Sequence, residues 1–230
     1  LFLTSFEVKI QEVNTLGNPM SAHQQQQNST EVSRLEELFG LTVALFQDVV
    51  MEGVHARTAG TSHHPKTYPG YAQWGETVRA LRDKCVPLGW FPTDDNNFPL
   101  CVHDERKISI AVQTGDRETG TSATPSNRAP KGASTEEAIA VNQRQLSLFD
   151  GIPMLPGRDD ESLHSMWILL YHVAQNEVRF ELSLPMQMVG GKIRSWKERI
   201  IFPAIPLDGI EINFGDDDGP QFDVSVERKG

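Results

Sequence analysis

Met166-Trp167-Ile168-Leu169-Leu170-Tyr171-His172-Val173, followed past Asn176 by Val178-Arg179-Phe180-Glu181-Leu182-Ser183-Leu184, decides the fold class. The first run is almost wholly apolar, as expected of a central strand. The second alternates: Val178, Phe180, Leu182 and Leu184 share one face, and Arg179, Glu181 and Ser183 the other. Asn176 suits a tight turn between them, which makes the two strands antiparallel neighbours. Gly190-Gly191 signals the next turn, and residues 196–202, 210–214 and 222–226 continue the series of strands. Upstream, Ile108, Ile110 and Val112 place a strand at 107–113.

The N-terminal part has a different period. Leu35, Leu38, Phe39, Thr42, Leu45, Phe46, Val49 and Val50 recur at intervals of three and four. They predict one amphipathic helix from 31 to about 51, capped by Ser29 or Thr30, mildly interrupted at Gly40 and stopped at Gly53. Trp74, Val78, Leu81 and Cys85 predict a second helix over 72–85. A capping box at Ser134 and Glu137 opens a third, running to about Gln143 or Arg144 before Gly151, Pro153, Pro156 and Gly157. The stretch 86–106, rich in Pro, Asp and Asn, reads as packed and irregular. The fold class is α+β, with N-terminal helices packed on a mostly antiparallel sheet formed largely by the C-terminal half. Residues 1–30 read as a partly mobile extension, with a strand-like alternation at Phe6, Val8 and Ile10 and a possible native start at Met20. Residues 31–230 read as a single domain with a mobile loop near 115–134.

The chain has 230 residues and a net charge of −10, from 21 Lys and Arg against 31 Asp and Glu. That balance disfavours direct, sequence-independent binding of nucleic acid, which needs clustered cations. No apolar run approaches the roughly 20 residues of a membrane span, and Cys85 and Cys101 make no disulfide framework. Composition therefore points to a cytoplasmic globular protein.

Gln145-Leu146-Ser147-Leu148-Phe149 sets three large apolar residues where the helix is expected to have ended, directly before Asp150-Gly151. The run resembles the peptide by which bacterial proteins bind the β sliding clamp, Gln-Leu-(Ser or Asp)-Leu-Phe, at all five positions. Such a peptide docks in extended form in a preformed apolar groove. The resemblance implies that Leu148 and Phe149 fill the deep pocket, Leu146 takes a shallower site, Gln145 fixes register by hydrogen bonds and Ser147 points outward. An exposed motif at 145–149 is the corresponding expectation. A protein of this size with an internal clamp motif is similar to the SocB toxin family. That resemblance implies a toxin that inhibits replication elongation by occupying the groove polymerase needs. It also implies a SocA-type antitoxin, acting as proteolytic adaptor, and delivery to the ClpXP protease. The same reading needs no cofactor, no metal and no catalytic residue.

Other constellations are weaker. His55, His63 and His64, with Glu52, match no standard zinc spacing. Asp216-Asp217-Asp218 before Gly219-Pro220 lacks the alternating spacing of a calcium loop and suits a polar turn. The alternative function is a metal-dependent nuclease or hydrolase. Its carboxylates would be Asp116 and Glu118, at a strand end, with His103 and Asp104 as further metal ligands. Glu177, Glu181, Lys192 and Lys197 supply other nuclease residue types, or simply the solvated face of antiparallel strands.

Overall fold

A computed structural model of the chain describes residues 33–149, 164–210 and 212. The alternation at Phe6, Val8 and Ile10, the start at Met20, the cap at Ser29 or Thr30, the breakers from Gly151 to Gly157, the strand at 222–226 and nearly all of that at 210–214, and the triple-Asp turn lie outside the described residues.

Three helices come first: α1 (Ser33–Phe39), α2 (Val43–Thr58) and α3 (Tyr68–Cys85). The sheet follows chain order, β1 (Phe91–Thr93), β2 (Leu100–His103), β3 (Ile108–Thr114), β4 (Ser165–Val173), β5 (Glu177–Val189) and β6 (Lys192–Ile201). A short β7 (Ile205–Pro206) pairs with β5 beyond the end of β6. Val178 faces Ile205 while Glu181 faces Ile201, so three steps along β5 match four on the opposite line. β7 therefore continues β6 after a one-residue slip. The described strand pairs are antiparallel except β3–β4, where Ile110 lies opposite Trp167. A parallel pair needs a crossover, and α4 (Ala133–Phe149) supplies it. The architecture is α+β, with a mostly antiparallel sheet built largely by the C-terminal half.

The alternation along β5 sorts two cores. Ile108, Ile110, Val112, Trp167, Leu169, Tyr171, Val178, Phe180 and Leu182 pack beneath α1, α2 and α3 with Leu35, Phe39, Phe46, Val49 and Val50. Phe46, Phe202 and Phe180 form a stack with centroids 5.3 and 4.9 Å apart. On the opposite face Ala111, Met166, Ile168, Leu170 and Ile193 pack with Ile139 of α4. β4 is apolar on both sides because both sides are covered. Full burial of each large side chain contributes about 1.5–3 kcal/mol.

Five helix boundaries differ from expectation, the end of α4 being described below with the motif. Gly40 does not merely weaken one helix; it divides α1 from α2, which are bent 82° apart. Its φ of +64° favours glycine, and a Cβ there would lie 2.8 Å from the guanidinium of Arg106. Arg106 donates to the carbonyls of Glu37 and Leu38, satisfying the exposed end of α1. Gly53 is no stop. It lies inside α2 because α3 passes so close that a Cβ would meet Thr77 Oγ1 at 2.1 Å and the Gln73 carbonyl at 2.8 Å. α3 starts at Tyr68, ahead of the expected 72, with Pro69 tolerated in its first turn. Ser134 is within α4 rather than at its cap, since Glu136 N–H already donates to the Gly132 carbonyl. The stretch 86–106, expected to be irregular, contains β1 and β2. Pro92 and Pro99 obscured them, and Asn96 and Asn97 turn the chain with φ of 54° and 56°. Among the described residues, no single helix is long and apolar enough to cross a membrane.

Candidate functional site

α4 runs along the sheet on the face opposite α1, α2 and α3. Thr135, Ile139 and Asn142 recur at four and three and are buried, among its described side chains. Asn142 is the bolt. Its amide N–H groups donate to the Met166 carbonyl at 2.9 Å and the Pro185 carbonyl at 3.0 Å, and its Oδ1 accepts from Met166 N–H at 2.8 Å. The site explains the choice of residue. Met166 opens the buried part of β4, and Pro185 interrupts the β5–β6 ladder, so both offer polar groups that a Leu at 142 would leave unpaired. Gln143 adds a hydrogen bond from its amide to the Met186 carbonyl. Sequence reasoning missed both residues; the available signal was an Asn standing in the apolar stripe of an amphipathic helix.

The helix does not end at Gln143 or Arg144. It continues through Gln145, Leu146, Ser147, Leu148 and Phe149, so the sequence-predicted motif forms the last turns of α4 and does not follow it as extended chain. The physical reason is local: Gln, Arg and Leu are good helix formers, and nothing before Phe149 breaks the helix. The last turn contains no basic residue to complement the helix dipole. The expectation that the side chains of 145–149 are exposed lies outside the described side chains.

The loop after β3 uses its polar groups on itself and on the sheet. Asp116 accepts from Glu118 N–H at 3.1 Å and Ser126 N–H at 3.0 Å, one bond to each oxygen. Glu118 pairs with the neighbouring Arg117. Asn127, buried, donates to the carbonyls of Ala129 and Gly191 and accepts from Ile193 N–H. Lys192 donates to the carbonyls of Asn127 and Arg128. Glu181 is not on a solvated face. It is 0% exposed, because this loop covers the second face of β5. Its four partners are Ser183 Oγ at 2.7 Å, Gly120 N–H at 2.8 Å and two guanidinium nitrogens of Arg199 at 2.9 and 2.6 Å. Arg199 also donates to the carbonyls of Thr121 and Ala123. This ion pair ties the loop to β5 and β6.

The remaining candidates are scattered. Asp104 pairs with His164 at 2.9 Å, while His103 lies edge-on to Trp90. His55 belongs to α2. His64 stacks on Tyr68, with Nδ1 3.0 Å from Thr61 N. Glu177 pairs with Arg179. Among the described residues no three His, Cys, Asp or Glu side chains gather as a metal site would require. Cys85 and Cys101 are buried and free. The hydrogen bond between them, with burial, pushes the Cys85 thiol up; the same bond draws Cys101 down against burial, aided by the charge of Arg82. A cleft of about 590 Å³ lies between α3 and the turn after β1, lined by Trp74, Val78, Arg82, Asp94 and Pro99 among others. Its one cation, Arg82, is engaged by Asp94 and by the carbonyls of Thr93 and Leu100.

Comparison with protein-family models, curated proteins and solved structures finds no match to this chain.

Proposed function

We propose that this chain is an interaction protein that engages the bacterial β sliding clamp through Gln145, Leu146, Ser147, Leu148 and Phe149. By occupying the groove it competes with polymerase and other clamp clients and holds back replication elongation. The observation that supports this reading is the five-position match on the end of α4, past the bolt at Asn142 and Gln143. A SocA-type adaptor that delivers the chain to ClpXP belongs to the same reading.

The energetics are adequate. Leu146, Leu148 and Phe149 each contribute about 1.5–3 kcal/mol on full burial. Association entropy removes several kcal/mol, leaving a complex near micromolar, about −8 kcal/mol. The contact is apolar, so a net charge of −10 opposes it only weakly.

Competition tests the proposal. A fluorescent client peptide bound to purified clamp should be displaced by the full chain and not by Leu148→Ala/Phe149→Ala. Displacement by both proteins, or by neither, overturns it.

A further inference from the structure

The motif is helical in the free chain, whereas a groove-docked clamp peptide is extended. One segment cannot be both at once. We propose that the last turns of α4 are a built-in brake on clamp binding: residues 145–149 unwind from the helix before they dock, and unwinding stops at the bolt formed by Asn142 and Gln143. This inference rests on the clamp reading.

Three observations carry it. First, α4 is fastened to the sheet just ahead of the motif. Asn142 is 1% exposed and makes three hydrogen bonds to β4 and β5, and Gln143 makes another. Opening the helix on the N-terminal side of this bolt would strand Met166 N–H and two buried carbonyls; opening it on the C-terminal side leaves those bonds intact. Second, the C-terminal end lacks one usual support. A helix leaves its last four carbonyls without helical partners, and here no basic residue stands in the last turn to offset the dipole. Third, a segment this short does not sustain a helix alone, because nucleation is unfavourable. Its helicity is borrowed from the anchored body of α4 and is lost at low cost when a competing contact appears.

Unwinding also gives reach. Five residues span about 7.5 Å as helix and about 17 Å when extended. The freed peptide moves out from the bolt by roughly the width of a helix. The affinity of the intact chain is then the affinity of the extended peptide multiplied by the unwound fraction.

Ser147 is the position at which to test this, since the motif accepts either Ser or Asp there and the resemblance points it outward. Full chain and synthetic 143–151 peptide are titrated against purified clamp as native, Ser147→Ala and Ser147→Gly. The quantity read is the ratio of full-chain Kd to peptide Kd for the same sequence, which cancels any change in the contact itself. The ratio should exceed one for the native pair, rise with Ser147→Ala and fall with Ser147→Gly, spanning about five-fold between the two variants. A ratio unmoved by either variant overturns the brake and leaves the clamp reading standing. A peptide that fails to bind at all overturns the clamp reading and the brake with it. A peptide that binds beside a full chain that does not, even as Ser147→Gly, also overturns the brake.

Discussion

The loop between β3 and α4 and the far end of α4 looked alike in the sequence, each a stretch where regular structure should stop and chemistry could begin. They are built in opposite ways. Asp116 and Asn127 of the loop, with Glu181 of β5 and Lys192 and Arg199 of β6, turn their polar atoms toward backbone groups and toward one another. That leaves little capacity for a substrate. Among the described side chains of α4, Asn142 and Gln143 bond to the sheet, one residue short of the helix's last five. A polar loop full of acids can spend its side chains on its own backbone and on the neighbouring strands, and a motif expected as extended chain can be the end of a helix. What separates them is where the hydrogen bonds go, and composition does not show that.

The contrast is open to attack from both sides. The largest effect should come from Glu181→Leu, which leaves Arg199 without its carboxylate and Gly120 N–H without an acceptor. A loss of about 3 kcal/mol or more is expected in chemical denaturation, with the affinity of the folded protein for the clamp unchanged. Asn142→Ala should follow, at about 2–3 kcal/mol, because it strands the Met166 N–H and two buried carbonyls. Unlike Glu181→Leu, it should also speed hydrogen exchange throughout α4. Gly53→Ala forces α2 and α3 apart and should cost about 1–3 kcal/mol, without touching either region. Asp116→Ala removes one acceptor from each of two backbone amides, and about 1 kcal/mol is expected. If Asp116→Ala instead abolished a Mg²⁺- or Mn²⁺-dependent cleavage of nucleic acid while leaving stability intact, the structural view of the loop would be wrong. The smallest expected effect concerns salt. This chain carries a net charge of −10, so against a clamp of like sign its affinity should rise modestly as screening increases.

The fold class was legible because β4 and β5 carry different patterns for different reasons. β4 is apolar throughout, being covered on both faces, and β5 alternates. Glu181 misled because alternation separates the two faces of a strand without saying whether the second is wet. β1 and β2 were hidden by Pro92 and Pro99, which propensity counts against strands, although Pro92 is tolerated in the short edge strand β1 and Pro99 precedes β2. Gly53 and Gly40 look equivalent in the sequence. One is needed for a close helix crossing and the other for a left-handed turn, and each depends on a residue far away in the chain, Thr77 or Arg106. Of the candidate site, the identity of residues 145–149 was legible and their backbone state was not. Gln145, Leu146 and Leu148 are good helix formers, and the body of α4 decides the outcome.

The central claim is that residues 145–149 carry this chain to the clamp. The direct measurement is calorimetric titration of purified clamp with the full chain and with Leu148→Ala/Phe149→Ala, after circular dichroism shows both equally folded. The account predicts a near-micromolar complex weakened about 100-fold or more by the double substitution. Equal affinity for the two proteins would contradict it.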